Sequence, residues 1–235
     1  MIYRIARNDE VARAVYRLEL DGDTSALTAP GQFVNIKVPG CYLRRPISVC
    51  DWSDGTMTLI YKVLGEGTKG LAQMEAGASL DLLTGLGNGF SAVPEGVKRP
   101  LLVGGGLGVA PLYRLMKALP GARAALGFAS AADVFLRDAF EALGEVHIIT
   151  IDGSAGAKGL VTDLMAALDY DYVFACGPEP MMRAVHALCP RGQFSFEGRM
   201  ACGFGACMGC SRETNFGSKR VCVDGPVFAG EEIAW

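Results

Sequence analysis

The sequence lacks the features that mark several common classes of protein. Its 235 residues carry a formal net charge of −3, so there is no basic excess of the kind that binds nucleic acid. The most apolar stretch, LLVGGGLGVAPLYRLM, is interrupted by glycine and proline and is too short to span a bilayer. The first residues, MIYRIARNDE, are charged and lack the apolar core of a signal peptide. We therefore expect a cytoplasmic protein that binds neither nucleic acid nor membrane.

Histidine is also scarce. The two histidines, His147 and His186, lie within apolar strand and helix patterns, and no triad or metal partner is spaced near either of them. Each is expected to be a packed or surface residue. The sequence therefore offers no evident acid–base site, and no catalytic side chain is predicted.

Cysteine, in contrast, is concentrated near the carboxyl end, where four of the eight lie in the spacing C-x4-C-x2-C-x11-C. These are Cys202, Cys207, Cys210 and Cys222. Three closely spaced thiolates and a fourth from a later segment can hold a 2Fe–2S cluster. Glycines interleave with the first three, as expected where backbone N–H groups turn toward sulfur. The spacing predicts an iron–sulfur centre, which transfers single electrons.

Two other uses of these cysteines remain open at this point. A structural zinc site usually has two C-x2-4-C pairs separated by a longer spacer, which fits three ligands within nine residues poorly. A pair of disulfides requires an oxidising compartment, and nothing in the sequence indicates one. The iron–sulfur interpretation is favoured over both.

The first part of the chain, residues 1–95, has the pattern of a β domain. Apolar and polar residues alternate in VARAVYRLEL, QFVNIKV and MTLIYKV, which is typical of half-buried strands. Asp54-Gly55 lies between two such runs and predicts a hairpin turn. Many short alternating strands with glycine turns predict a small antiparallel barrel.

After a linker at 94–100 the pattern changes. Apolar strands such as LLVGG, ARAALGF, EVHIITI and DYVFAC alternate with helix-like segments, including one in DVFLRDAFEALG. This order predicts a doubly wound parallel sheet over residues 96–197. FSFEGRM is expected to form a last strand that leads into a small cluster-binding domain, residues 198–235.

Two glycine-containing turns follow strands of the predicted sheet. Glycines allow a backbone to approach a pyrophosphate closely, and ligands bind at the carboxyl edge of such sheets. The first turn is not a Rossmann fingerprint, because Val109 replaces the third glycine and the expected acidic residue is missing. Cys176, in the second turn, is equally well explained as a small buried residue. The candidate nucleotide-binding residues are Gly104, Gly105, Gly106, Gly108, Cys176 and Gly177.

The barrel half resembles the ferredoxin reductase-like flavoproteins, in which a barrel binds FAD and the next domain binds a nicotinamide nucleotide. The family pattern R-x-x-S matches LRRPISV, and further FAD segments match IYK and GT. The resemblance implies that the arginine pairs with the FAD pyrophosphate and that the serine hydroxyl lies at the flavin N5 edge. The implied FAD residues are Arg45, Pro46, Ile47, Ser48, Ile60, Tyr61, Lys62, Gly67 and Thr68.

The order of all these motifs is similar to that of the electron-transfer subunits of class 1B, NAD-dependent dihydroorotate dehydrogenases. This resemblance covers essentially the whole chain and ends in the cysteine motif followed by VDGPVF. It implies a partner subunit, an FMN-containing TIM barrel that oxidises dihydroorotate, in a heterotetramer with two copies of each subunit. Electrons would pass from that FMN through the 2Fe–2S cluster and FAD to NAD+.

Other functions share these parts. The chain is also compatible with the flavin subunit of an NADH-dependent ferredoxin:NADP reductase, a sulfide dehydrogenase or a hydrogenase. A non-catalytic zinc-binding interaction module is the alternative from another class. NAD is expected rather than NADP, because GFASAAD contains no arginine for a 2′-phosphate and has Asp133 nearby.

Overall fold

The computed structural model describes the whole chain, Met1–Trp235, and its first part is a closed antiparallel barrel. The strands are β1 (Ile2–Ala12), β2 (Val15–Asp21), β3 (Phe33–Lys37), β4 (Arg45–Ser53), β5 (Thr56–Lys62) and β6 (Ser79–Leu86). Around the barrel their order is β1-β2-β5-β4-β3-β6. The alternation noted in the sequence turns Leu18, Val34 and Leu59 into the barrel core. The predicted barrel is confirmed, and a short helix, α1 (Glu66–Ala72), follows β5.

The second part is a parallel sheet covered by helices on both faces. Its strands are β7 (Pro100–Gly105), β8 (Arg123–Phe128), β9 (Val146–Thr150), β10 (Ala157–Lys158), β11 (Tyr172–Cys176) and β12 (Gly192–Ser195). Its helices are α2 (Val109–Ala118), α3 (Arg137–Glu141), α4 (Val161–Ala167) and α5 (Glu179–Leu188). The strand order is β10-β9-β8-β7-β11-β12, and every neighbouring pair is parallel. Residues of α2 and α3 belong to one core and those of α4 and α5 to another, which confirms the doubly wound prediction.

The last part contains a small hairpin, β13 (Ser211–Thr214) with β14 (Gly217–Arg220), and the strand β15 (Val227–Ala229). β15 pairs antiparallel with β12 and so extends the parallel sheet at its edge. The sequence pattern did not indicate this pairing, because a three-residue strand is too short to show a period. The pairing attaches the cysteine segment directly to the sheet.

The barrel and the parallel sheet share a hydrophobic core. Val15, Cys50 and Ile60 from the barrel pack in the same cluster as Leu112 and Leu115 of α2. The two parts therefore meet over a buried apolar surface, with a cavity at the edge of their junction. None of the helices has both the length and the apolar character needed to cross a membrane.

Candidate flavin and cluster site

A cavity of about 250 Å³ lies where the barrel, the parallel sheet and the cysteine segment meet. Most of the FAD residues expected from the resemblance line it, together with two of the expected nucleotide residues. They are Arg45, Pro46, Ile47, Ser48, Ile60, Lys62, Thr68, Gly108 and Cys176. Residues far apart in the sequence are thus brought to one cavity, as a single ligand would require.

Gly67 contacts the cavity indirectly, through Arg45. A methyl group at position 67 would lie 2.2 Å from Nε of Arg45, so a larger residue there would require the guanidinium to move. Thr68, one residue later, accepts a hydrogen bond from the backbone N–H of Leu64 at 2.9 Å. The start of α1 therefore packs against the side chain of Arg45.

Tyr61 is placed differently from its two neighbours in the IYK segment. Its ring is fully buried in the barrel core, where it stacks on Tyr16 with ring centroids 5.6 Å apart. Its hydroxyl donates a hydrogen bond to Oδ1 of Asn8 at 2.9 Å, and burial raises its pKa. Because strand residues alternate in direction, Ile60 and Lys62 face the cavity while Tyr61 supports the strand from inside.

The two glycine turns lie against each other at the carboxyl ends of adjacent strands. Cys176 of β11 is in register with Gly104 of β7. A methyl group at position 108 would lie 2.3 Å from the carbonyl oxygen of Cys176, so Gly108 allows the two backbones to touch. Gly104 is packed among Val109, Leu112 and Leu126, and it supports the turn without lining the cavity.

A second cavity, of about 460 Å³, lies at the same carboxyl edge on the other side of these turns. Gly105 and Gly106 line it, whereas Gly177 packs behind them against Met181. No lysine, arginine, aspartate or glutamate lines this cavity. The two turns thus form a thin partition of backbone between the first cavity and the second.

Asp133 does not face the second cavity. It is buried at the junction with the barrel, where it accepts hydrogen bonds from Nη2 of Arg13 at 2.5 Å and from the Ser130 hydroxyl at 2.7 Å. The expected preference for NAD therefore depends on the absence of cationic residues in the cavity and not on this carboxylate.

Ten of the 19 residues that line the first cavity were not singled out from the sequence, among them Phe33, Phe196 and Glu197. Phe196 and Glu197 directly follow β12, and ligands bind beyond the carboxyl ends of parallel strands, so their position was a usable signal. The protein around Glu197 raises the pKa of its carboxyl by desolvation, although the side chain reaches solvent through the open cavity.

The hairpin explains the spacing of the last two cysteines. Cys210 precedes β13 and Cys222 follows β14, so pairing of the two strands returns the chain to its starting point. The backbone N–H of Val221 donates to the carbonyl oxygen of Cys210 at 3.1 Å. Both cysteines are buried, whereas Cys202 and Cys207 are partly exposed. Two predicted ligands therefore lie in the core and two on the surface loop.

The sulfur of Cys202 is surrounded by backbone donors. Burial by itself would raise the pKa of this thiol, but hydrogen bonds from the backbone N–H groups of Cys207, Phe204 and Ala206 and from the Cys207 side chain together lower it to about 6. The N–H of Cys207 lies 3.3 Å from the sulfur. Burial, followed by the proximity of Cys210, raises the pKa of Cys222. A cationic group is what would allow such closely placed thiols to be deprotonated together.

This arrangement fits an iron–sulfur cluster better than the alternatives. All eight cysteines are free, so no disulfide is formed. Three cysteines within nine residues, with a fourth brought back by a hairpin, depart from the two C-x2-4-C pairs of a structural zinc site.

A family model described as the iron–sulfur cluster binding domain of dihydroorotate dehydrogenase B matches residues 197–234. This range contains all four predicted ligands, and the match confirms an iron–sulfur cluster over zinc or disulfides. Curated relatives extend the similarity to the whole chain. The protein named dihydroorotate dehydrogenase B (NAD(+)), electron transfer subunit, of Bacillus caldolyticus is 44% identical over 97% of this chain and 96% of its own. Its namesake in Caldanaerobacter subterraneus subsp. tengcongensis is 41% identical over 98% and 96%.

Among solved structures, a chain of the NADH-dependent reduced ferredoxin-NADP oxidoreductase is 31% identical and superposes with a TM-score of 0.90, over 100% of this chain and 90% of that one. This likeness confirms the ferredoxin reductase-like fold. On the evidence of the curated relatives, the chain belongs to the family of electron-transfer subunits of NAD+-dependent dihydroorotate dehydrogenase B.

Proposed function

We propose that this chain carries electrons from the FMN of a dihydroorotate-oxidising catalytic subunit to NAD+. The curated relatives bear the name of this activity, and the fold and cluster domain support FAD, a 2Fe–2S cluster and NAD as its cofactors. The partner in this proposal is the TIM-barrel subunit implied by the resemblance, with two copies of each subunit in the complex. When bound, FAD exchanges single electrons with the cluster and a hydride with NAD+.

One observation carries the proposal. Phe33 and Phe196 line the first cavity, and both also belong to the hydrophobic core that contains Cys210 and Cys222. The cavity and two of the proposed ligands therefore border one continuous apolar core. Such a core excludes water between the two proposed redox sites, which favours electron transfer between them.

The barrel residues account for how FAD would be held. Arg45 is proposed to pair with the pyrophosphate, because a guanidinium binds phosphate oxygens through two parallel hydrogen bonds. Ser48, in register with Phe33 across β3 and β4, is proposed to hydrogen-bond at the N5 edge of the flavin. Ile60 and Ile47 supply apolar surface in the same cavity.

The two cavities adjoin at the glycine turns, and this is where the nicotinamide would reach the flavin. NAD+ is proposed to occupy the second cavity and to approach the first at Gly108 and Cys176. Burial raises the pKa of the Cys176 thiol to about 12, so this cysteine stays protonated and neutral at the junction. NAD fits the second cavity better than NADP because no cationic side chain lines it.

The decisive experiment uses Cys210→Ala in the complex with the catalytic subunit. We expect loss of the cluster absorbance and of dihydroorotate-driven NAD+ reduction, because one buried ligand is removed. FAD should remain bound, since the barrel residues are untouched. Cys189→Ala, at a free cysteine outside the ligand set, is the matched control and should keep both signals. Dihydroorotate-linked reduction of NAD+ that survives in Cys210→Ala would refute the relay.

A second candidate is favoured by the structural likeness to the NADH-dependent reduced ferredoxin-NADP oxidoreductase. In that case the electrons would be exchanged among NADH, ferredoxin and NADP+. Purification of the chain from its native source, with identification of the bound partner, distinguishes the two candidate functions. Association with an FMN protein that oxidises dihydroorotate supports the first, and association with a subunit that reduces NADP+ supports the second.

A further inference from the structure

Asn35 lies on the outer face of β3, next to the loop that carries Cys202. Its neighbours Val34 and Ile36 point into the barrel core, whereas Phe33 belongs to the core that contains Cys210 and Cys222. The alternation of a strand therefore turns the Asn35 side chain toward that segment as well. Asn35 is 0% exposed, although asparagine side chains mostly lie on the surface of folded proteins.

The amide of Asn35 holds the backbone of the first predicted cluster ligand. Its Nδ2 donates a hydrogen bond to the carbonyl oxygen of Cys202 at 3.0 Å. The next residue, Gly203, has a φ of +77°, and a methyl group there would lie 2.4 Å from Nδ2 of Asn35. Glycine at position 203 is thus what lets the loop close onto the asparagine.

The other end of the amide indicates that this contact is not present for stability. Oδ1 of Asn35 is buried and has no hydrogen-bond partner, and an unpaired buried acceptor destabilises the fold. Reversing the amide would place Oδ1 against the carbonyl oxygen of Cys202, so the donated hydrogen bond fixes its orientation. An apolar residue at position 35 would avoid the unpaired acceptor but could not hold the loop.

We propose that Asn35 is a positioning residue for the cluster, a role that rests on the proposed assignment of Cys202 as a ligand. β3 pairs with β4 so that Phe33 faces Ser48 and Asn35 faces Pro46, and both β4 residues line the flavin cavity. The hydrogen bond therefore ties the first ligand to the same pair of strands that forms the flavin site. It fixes the distance between the two redox centres, on which the rate of electron transfer depends steeply.

The loop has a second hydrogen bond, so the contact with Asn35 can be removed without unfolding the loop. Nη1 of Arg220 donates to the carbonyl oxygen of Gly205 at 2.9 Å, and this contact lies entirely within the cysteine segment. Arg220 can thus keep the loop folded on its own hairpin. Among the contacts of the 202–205 stretch, the hydrogen bond from Asn35 is the one that reaches the barrel.

The test is Asn35→Leu in the full chain loaded with FAD and cluster. Leucine has a similar size and removes both the donor and the unpaired acceptor. We expect a thermal unfolding temperature equal to or above that of the wild type. Iron loss to a chelator should be about tenfold faster, which is the scale of losing an outer-shell contact. The paramagnetic resonance spectrum of the reduced cluster should also change.

Asn35→Asp replaces the amide donor with a carboxylate oxygen, whose charge repels the Cys202 carbonyl oxygen, and it should show the same faster iron loss and altered spectrum. Asn88→Asp is the matched control, because Asn88 also joins the barrel half to the last segment, through Val227 at 2.8 Å. It should retain wild-type iron loss. If both Asn35 variants match the wild type in iron loss and in spectrum, the proposal is wrong. These measurements need no catalytic subunit, so they stand even if dihydroorotate proves not to be the electron source.

Discussion

At the scale of single residues, FAD binding is expected to depend most on the positive charge of Arg45. Arg45 and Lys62 are the cationic side chains that line it. Lys62 also lies 3.9 Å from the carboxylate of Asp133, whereas the space around the Arg45 guanidinium is kept open by Gly67. We therefore expect Arg45 to provide the main electrostatic contact with the FAD pyrophosphate.

Arg45→Ala should weaken FAD binding by about 1.5–3 kcal/mol, the range for hydrogen bonds to a charged group. Fluorescence titration of the apoprotein with FAD measures the dissociation constant. Arg44→Ala is the matched control, because its guanidinium pairs with Asp81 at 2.7 Å and is absent from the cavity lining. Equal FAD affinity in Arg45→Ala and in the wild type would contradict the assignment.

Residue identity alone could not locate every member of this site. Tyr61 stands between two cavity residues in the sequence, yet the pleat of β5 turns it into the barrel. Phe33 lies beyond the family motif and becomes part of the site only because β3 pairs with β4. Contacts created by strand register are not visible in a linear sequence.

At the scale of elements, the alternation of apolar and polar residues predicted the barrel, and the alternation of strand-like and helix-like segments predicted the parallel sheet. The C-x11-C spacing is explained by the hairpin of β13 and β14, which a four-residue strand pattern does not reveal. The helix expected around DVFLRDAFEALG is reduced to Arg137–Glu141, preceded by Leu136 in the left-handed region, with φ of +57°. Such short elements are set by tertiary contacts and not by local periodicity.

The sequence alone could not assign a role to the glycine turns, because packing and ligand binding both favour glycine. The structure assigns Gly108 a specific steric role against Cys176. The methyl group added by Gly108→Ala should therefore push the two turns apart and displace the backbone that lies between the two cavities. We expect the free energy of unfolding to fall by about 1–3 kcal/mol, as in other overpacked sites. We also expect a higher KM for NADH when the protein reduces an artificial electron acceptor.

Gly70→Ala is the matched control for that experiment. Gly70 lies within α1, and a methyl group there would lie 3.6 Å from the nearest atom of Val38, which is ordinary contact distance. Because alanine favours helix, this variant should be neutral or more stable by up to about 1 kcal/mol. If Gly108→Ala behaves in the same way, the two turns are not in the steric contact described above.

At the scale of the whole molecule, electron transfer requires the barrel and the parallel sheet to keep a fixed relationship. Two groups of ion pairs cross their junction in addition to the shared core. Asp51 of β4 contacts Arg114 at 3.2 Å and Lys117 at 2.7 Å, both on α2. Arg13 of the β1–β2 turn contacts Asp133 at 2.5 Å. These contacts hold the flavin side of the junction against the nucleotide side.

Asp133 makes this junction sensitive to acid. Desolvation acts to raise the pKa of its carboxyl, but hydrogen bonds from Ser130 and Arg13 outweigh it, and the pKa is lowered. A carboxyl with a lowered pKa stabilises the fold at pH values above its ordinary pKa, about 3.9. That stabilisation is lost as the pH falls below this value, through the pKa in the folded protein. At neutral pH the contribution is fully present.

Asp133→Asn should therefore lower the free energy of unfolding at pH 7 by about 1–2 kcal/mol. This is less than for a fully buried pair, because the Arg13 side chain is more than half exposed. Urea unfolding at pH 7 and pH 3 should show a smaller difference between variant and wild type at the acid pH. Asp169→Asn is the control, since the Asp169–Arg99 pair is exposed and should contribute little. The same small loss in both variants, unchanged by pH, would show that Asp133 does not hold the two halves together.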